Sequence, residues 1–310
     1  MSLLLWRKGK GTLTIKLAVN YSGATADLLR RGHVDFDYFK TPAWPDMIAT
    51  AEALRPVNVH FPLLVGYGID GALDGETRQQ PDWGKIETLL AQTGTPLVNV
   101  HLVAPPTAYP DVPLNTQDPA HSDLVTERLI ADVSAVVRRF GAERVIAENN
   151  PPNANECIRP AYLPEVISRV VRETGCGLLL DLAHVRLAAR TLGMDVRQYA
   201  EALPIERIRE IHVTGVQRVE GRWLERMQQQ GVAPAEMQRM TGRLIDHLPM
   251  TDEDWSLCEW AMAQIRTGAW REPWIVTFEY GGVGALWEAL TDADALRMQV
   301  PRLRKIVANI

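Results

Sequence analysis

The sequence has few of the features that mark a secreted, membrane-spanning or nucleic-acid-binding protein. Its 310 residues include three cysteines, which are far apart and form no CxxC pair. A disulfide framework is therefore excluded, and a reducing compartment, the cytoplasm, is expected. No stretch approaches the roughly 18 apolar residues that a membrane span requires, and the first residues lack the charge order of a signal peptide. A net charge of −5 argues against a nucleic-acid partner held by its phosphates.

Motifs of several common activities are also missing. There is no Walker-type lysine loop, no HExxH and no GxSxG. Residues 66–71 match GxGxxG, but a dinucleotide site requires this motif to open a helix directly after a strand. The next helical pattern begins only after Pro81, so we interpret residues 66–71 as a flexible loop at the rim of the fold.

Short runs rich in Val, Ile and Leu alternate with longer amphipathic runs. This order predicts an α/β fold with a parallel sheet. Helices are expected between the strands, for example over 118–140 and 162–174. Eight such units favour a (β/α)8 TIM barrel, with an open doubly wound sheet as the alternative. Strands are predicted near residues 13–19, 34–40, 57–63, 97–103, 144–149, 177–182, 208–214 and 274–280.

No linker or low-complexity tract divides the chain. Residues 1–310 are therefore predicted to form a single barrel domain. A loop and helical insertion is expected at about 215–250. Because it follows a strand, it should lie over the C-terminal face of the barrel, where active sites of such barrels are found.

Ionisable side chains recur at the ends of the predicted strands. The tetrapeptide Val-Asn-Val-His occurs twice, at 57–60 and 98–101. Since side chains alternate along a strand, outward valines would direct both histidines into the barrel. Four later strands each add one such residue at the same end. The six positions are His60, His101, Glu148, Asp181, His212 and Glu279.

This convergence predicts a metal centre. Each residue alone could be a polar core or capping group, but buried carboxylates together need a compensating charge. Three imidazoles and three carboxylates suit a divalent metal. His184 should reach the same mouth, and the loop pair Asp246 and His247 could supply further ligands.

Three segments carry a resemblance to a known family: Glu148-Asn149-Asn150, the run from Glu173 to His184, and Glu210 to Gly215. In these segments the chain resembles the multinuclear non-heme iron-dependent oxidative enzymes, a group that includes the methanobactin-biosynthesis oxidase. They belong to the xylose-isomerase-like barrel superfamily, with endonuclease IV and sugar epimerases. The similarity extends over about residues 55–300 and is weak in the first two strands.

The resemblance implies three neighbouring metal positions. The first would use His60, His101 and Glu148; the second would share Glu148 and add Asp181, His212 and Glu279; the third would use His184, Asp246 and His247. The family usually has Asp-x-His where Asp246 and His247 are adjacent, which leaves open whether both coordinate. Lys40, Asn149 and Asn150 are expected to contact the substrate, and Glu148 and Glu279 to act in catalysis.

Four functions follow from these observations. The favoured one is an iron-dependent oxidative enzyme with two or three divalent ions, with Mn, Zn or Co as alternatives to Fe. The resemblance implies a peptide or thiol substrate presented with help from a partner protein. The alternatives are a sugar isomerase or epimerase, in which Glu148 and Glu279 would move protons, an endonuclease IV-like phosphodiesterase, and a non-catalytic metal-binding barrel. Neither a nucleic acid nor a membrane is expected as a partner.

Overall fold

The structure is a computed structural model that describes residues 15–152 and 157–310. In these ranges the β-strands are β1 Lys16–Asn20, β2 Tyr38–Pro42, β3 Val57–His60, β4 Leu63–Val65, β5 Leu73–Asp74, β6 Val98–Leu102, β7 Val145–Glu148, β8 Gly177–Asp181, β9 Ile208–Val213, β10 Gly215–Arg218, β11 Leu244–Leu248 and β12 Ile275–Phe278. The predicted first strand began at residue 13, and its first two residues lie outside the described ranges.

The helices alternate with these strands as the sequence predicted. They are α1 Gly23–Arg30, α2 Pro45–Glu52, α3 Trp83–Thr93, α4 Pro119–Phe140, α5 Pro164–Thr174, α6 Leu182–Leu192, α7 Val196–Ala202, α8 Arg222–Gln229, α9 Pro234–Met240, α10 Asp252–Arg266, α11 Ala285–Leu290 and α12 Ala293–Val307. Short 3-10 turns lie at Pro106–Ala108, Arg159–Tyr162 and Ile205–Arg207.

Parallel strands form a ring that closes across a divided third strand. The parallel strands have the order β3-β2-β1-β12-β9-β8-β7-β6-β4, and β5 pairs antiparallel with β4 beyond them. Only Phe61 and Pro62 separate β3 from β4 along the chain. Because proline has no N–H to donate, the strand is interrupted there. The Asn99 amide spans the gap: its Oδ1 accepts from Phe61 N at 2.8 Å, and its Nδ2 donates to Phe61 O at 2.9 Å. The predicted (β/α)8 barrel is confirmed.

The two Val-Asn-Val-His repeats have the side-chain alternation that the sequence predicted. Val57 and Val59 are buried in the main apolar core, which lies between strands and surrounding helices. His60 therefore faces the other side of the strand, into the barrel. The same holds for Val98, Val100 and the following His101 in β6.

The segment after β9 forms a strand–helix–helix–strand unit. β10 and β11 pair antiparallel, with α8 and α9 between them. Trp223, Met227 and Leu248 pack in a second apolar cluster, which also includes Leu286 and Leu290 of α11. Since β11 carries Asp246 and His247, this unit brings two candidate ligands to the barrel mouth.

The GxGxxG loop is anchored from beneath, whereas the sequence suggested a flexible rim loop. The Asp132 carboxylate of α4 is buried and accepts five backbone N–H groups, from Gly66, Tyr67 and Gly68 on Oδ2 and from Ile69 and Gly71 on Oδ1. A Cβ on Gly66 would lie 2.6 Å from Ala104 N, which explains the glycine there. The N–H groups that would bind a phosphate thus bind a carboxylate of the chain itself.

Candidate metal centre

Four buried side chains meet at the C-terminal ends of neighbouring strands. Glu148, Asp181, His212 and Glu279 come from or directly follow β7, β8, β9 and β12, and one ligand atom from each lies within 4.8 Å of the others. His212 Nδ1 lies 3.0 Å from Glu279 Oε2 and 3.9 Å from both Glu148 Oε1 and Asp181 Oδ2. We call these four residues the inner set.

Two oxygens of the inner set show why it fits a cation. Glu148 Oε2 and Asp181 Oδ2 are buried without a hydrogen-bond partner among the described residues. A carboxylate oxygen removed from water without a donor is costly, unless a positive charge compensates it. Asp181 also caps α6, because its Oδ1 accepts from His184 N at 2.8 Å. That bond leaves Oδ2 directed into the cluster, where a divalent metal would satisfy it.

The ionisation of the inner set reflects crowding of like charges. Burial raises the pKa of Asp181, and repulsion by Glu279 and Glu148 adds to this effect, giving about 7. Burial opposes the charged form of His212, but Glu279 and Glu210 outweigh it and raise the pKa of His212 to about 10. Metal binding would displace this proton from Nδ1 and relieve the repulsion between the carboxylates.

His60 and His101 extend the cluster on one side. Their Nε2 atoms are 3.0 Å apart and lie 3.7 and 3.2 Å from Glu148 Oε2. His101 Nδ1 donates to Leu63 O, which directs Nε2 at the cluster. Burial, together with the charge of Lys40, holds the pKa of His60 well below its usual value, so its ring is neutral and can offer a lone pair. His60, Glu148 and His212 also have ligand atoms within 4.8 Å of one another.

The residues proposed for a third position lie on the other side of Glu148. His184 Nε2 is 3.0 Å from Asp246 Oδ2, while His247 Nε2 is 3.9 Å from Asp246 Oδ1. Each imidazole donates its Nδ1–H to a backbone carbonyl, at Asn149 and Glu279 respectively. Among residues 15–152 and 157–310, only the two sets named above bring three or more ligand atoms within 4.8 Å, so this third group is looser.

The backbone of His247 explains how two adjacent residues face one site. Consecutive side chains of a strand normally point to opposite faces. His247 has a φ of +57°, in the left-handed region that residues other than glycine rarely adopt. This bend brings its Nε2 back towards Asp246, so the missing spacer of the Asp-x-His pattern does not keep the pair apart.

The predicted substrate contacts have other partners. The Asn149 amide bonds both to N and to O of Asp181, at 2.9 and 3.0 Å, and so braces that ligand. Asn150 is half-buried. Lys40 is buried, with Nζ 2.6 Å from Glu210 Oε1. The substrate roles of these three residues, like the metal and catalytic roles of the ligand set, stay predictions.

Glu210 is a member of the site that sequence reasoning missed. Its Oε1 accepts from Lys40 Nζ at 2.6 Å, from His212 Nε2 at 3.0 Å and from Thr277 Oγ1 at 3.0 Å. Burial alone would raise the pKa of Glu210, but Lys40 and His212 lower it to about 2. The available signal was its position two residues before His212, which places both side chains on one face of β9.

A cavity of about 250 Å³ opens beside the cluster. His60, His247 and Glu279 line its inner side, and its walls are largely apolar, formed by Tyr21, Trp44, Met47, Val283 and Trp287. A larger groove of about 830 Å³ lies outside the barrel along α6, α7 and α10, and none of the candidate ligands lines it. A substrate could therefore meet the cluster through the small cavity.

One family of sequences matches the part of the chain that carries most of these residues. The sequence model of the family described as RiPP precursor modification enzyme MbnB/TglH/ChrH matches residues 120–269. The family resemblance is confirmed. The matched segment contains Glu148, Asp181, His184, His212, Asp246 and His247. The chain is thus similar to a family of enzymes, and its fold gathers a candidate metal site in the matched region.

Curated relatives match short segments of the chain, and a solved structure shares its fold. A UPF0276 protein of Paraburkholderia phytofirmans is 49% identical over 51 residues, which cover 16% of this chain and 17% of the relative. A UPF0276 protein of Bordetella pertussis is 41% identical over 97 residues, covering 31% and 32%. The apo structure of the 3-keto-D-glucoside 4-epimerase of E. coli has a TM-score of 0.51 at 14% identity, covering 94% and 99% of the two chains, and shows the fold. Within the described residues, none of the helices has the length and apolarity to cross a membrane.

Proposed function

We propose that the chain is an iron-dependent oxidative enzyme that acts on a thiol of a peptide substrate. The observation that carries this proposal is the extended ligand set. The inner set alone would hold one metal, yet His60, His101, His184, Asp246 and His247 continue the cluster on both sides of Glu148. More donors than one ion needs, all at one rim, support a multinuclear site.

The donor set also favours iron among the metals. Mixed imidazole and carboxylate ligands are typical of non-heme iron centres that leave open positions for dioxygen and substrate. When bound, such iron supplies the redox chemistry through which dioxygen oxidises the thiol. The residues of the chain hold the metals, and Glu148, which contacts both His101 and His184, is placed to be shared between positions.

The cavity beside the cluster supports a small, partly apolar reacting group. Its 250 Å³ accommodates a single amino-acid side chain rather than a folded partner. Tyr21, Trp44 and Trp287 give the cavity apolar walls against which such a group could pack. A peptide would therefore insert one residue, while the remainder lies outside the mouth, where a presenting partner protein could hold it.

A sugar isomerase or epimerase is the second candidate, because the inner set by itself is complete for one divalent ion. In that reaction Glu148 and Glu279 would transfer protons at the substrate carbons. The additional histidines serve no purpose in that chemistry, which is why we rank it second. The phosphodiesterase and the non-catalytic barrel have no observation of their own in their favour.

Oxygen uptake tests this proposal against its rival. The iron-loaded protein should consume dioxygen when a cysteine-containing peptide is added, and should not do so with the matched serine peptide. Turnover of a ketose or keto-glycoside without dioxygen, and no uptake with any thiol, would favour the isomerase instead.

A further inference from the structure

One ligand of the inner set is tied to a charge pair that crosses the barrel. His212 donates Nε2–H to Glu210 Oε1 at 3.0 Å, and the same oxygen accepts from Lys40 Nζ at 2.6 Å. Lys40 belongs to β2, which pairs with β1 and β3, whereas Glu210 belongs to β9, which pairs with β8 and β12. The contact therefore crosses the interior of the barrel, and Lys40 lines the cavity together with His60 and Glu279.

This geometry decides which nitrogen of His212 can bind a metal. A neutral imidazole has one N–H and one lone pair. Because Glu210 can only accept from the ring, it holds the hydrogen on Nε2 and leaves the lone pair on Nδ1. That atom faces Glu279, Glu148 and Asp181 at 3.0, 3.9 and 3.9 Å. A carboxylate behind the ring also makes the imidazole a stronger ligand.

The histidines of the outer side have no such support. His101 donates to a neutral backbone carbonyl, and His60 Nδ1 has no partner in the described part of the chain. Their side chains are 17% and 18% exposed, whereas His212 is fully buried. Of the imidazoles His60, His101 and His212, only His212 donates to a carboxylate from the nitrogen that points away from the cluster. That carboxylate, Glu210, is neutralised by the buried Lys40.

We propose that Lys40 and Glu210 are a positioning pair that fixes His212 as an Nδ1 ligand and makes the inner set the tighter metal position. The pair is neutral overall, because Lys40 supplies the charge that allows the carboxylate to stay buried. This inference rests on the proposed metal-dependent function, and it concerns these residues whatever the metal or substrate.

The test is a titration of the metal-free protein with Co²⁺ alone, under anaerobic conditions and against a chelator of known affinity. The wild type should bind in two steps, with the tighter step assigned to the inner set by its visible absorption bands. Glu210→Gln should weaken that step about 10–100-fold and shift its bands. His101→Ala is the matched control, since it should weaken only the later step.

A double variant separates positioning from mere support of the fold. Lys40→Met with Glu210→Gln removes both buried charges together, so that neither charge is left unpaired in the interior. If the pair positions His212, this variant folds with near wild-type stability while its tight step stays weakened. If it binds Co²⁺ as the wild type does, with the same bands, the proposal is overturned.

Failure of the proposed function would look different. In that case the wild type itself would bind no Co²⁺ in the tight step, and the present proposal would fall with it. If the wild type and the variants all bind Co²⁺ equally tightly, only the positioning role of Lys40 and Glu210 is refuted.

Discussion

The loop over residues 66–71 is held by the Asp132 carboxylate, and replacing Asp132 with Asn should loosen the loop. Asparagine keeps the shape of the side chain but turns one acceptor oxygen into a donor. If its oxygen takes the place of Oδ2, the three bonds from Gly66, Tyr67 and Gly68 survive. The donors of Ile69 and Gly71 then face an NH₂ group instead of an acceptor.

The expected cost follows from those two bonds. A hydrogen bond to a charged group contributes about 1.5–3 kcal/mol. Ile69 is 47% exposed, so water can replace part of what its N–H loses. We therefore expect Asp132→Asn to lower the free energy of unfolding by about 2–4 kcal/mol, and to speed hydrogen exchange of the amides between Gly66 and Gly71.

Asp123→Asn is the control, because Asp123 lies on the same helix but is exposed in an ion pair with Arg169. Such surface pairs contribute about 0–1 kcal/mol. Urea unfolding and amide hydrogen exchange measure both effects. If Asp132→Asn proved as stable as Asp123→Asn, with unchanged protection of the loop, the loop would not be held by this carboxylate.

Three further perturbations address the cluster and its scaffold. Glu148→Gln removes one of the crowded carboxylates, so the metal-free variant should be as thermally stable as the wild type or more so. The rise in Tm on adding Zn²⁺ should largely disappear in this variant. An undiminished rise would contradict the assignment of Glu148 as a shared ligand. His247→Asn suits the left-handed backbone at φ +57°, so the variant should fold. Elemental analysis should show that it loses at most one metal ion per chain. Loss of all bound metal would contradict a peripheral role for His247. Asp37→Asn should cost about 1 kcal/mol at neutral pH. Burial would raise the pKa of Asp37, but hydrogen bonds from Arg304 and Leu17 N lower it from 3.8. The stabilisation by Asp37 is thus present above pH 3.8 and is lost as the pH falls through the lower pKa of the folded state. The unfolding free energies of the wild type and Asp37→Asn should therefore converge in acid. A difference that does not change with pH would argue against this ion pair.

The strand positions and the strand-end residues could be predicted from the sequence because they follow from local periodicity. Two residues on one strand separated by an even number share a face, so the repeated Val-Asn-Val-His located His60 and His101 without any knowledge of the remaining fold. Glu148, Asp181 and Glu279 follow apolar runs that could only be buried strands. Parallel strands in a closed barrel bring all such ends to one rim.

The contacts that the sequence did not predict depend on tertiary structure. Lys40 and Glu210 are 170 residues apart and meet only because of the relative stagger of β2 and β9. The paired orientation of Asp246 and His247 depends on a backbone angle that the identity of a histidine does not reveal. Asp132 lies 61–66 residues along the chain from the loop residues that it binds, and nothing in its helical neighbourhood distinguishes it from a surface acid.

We expect the buried carboxylates and imidazoles to hold more than one metal ion. Elemental analysis of protein purified without chelator, for the wild type and for Glu148→Ala, measures this number. Absorbance spectra of both proteins are recorded under air and without oxygen. We predict two or three iron atoms per chain, a spectrum that responds to oxygen, and loss of most of the metal in the variant. A wild type without metal, or a Glu148→Ala variant with its full complement, would contradict the account.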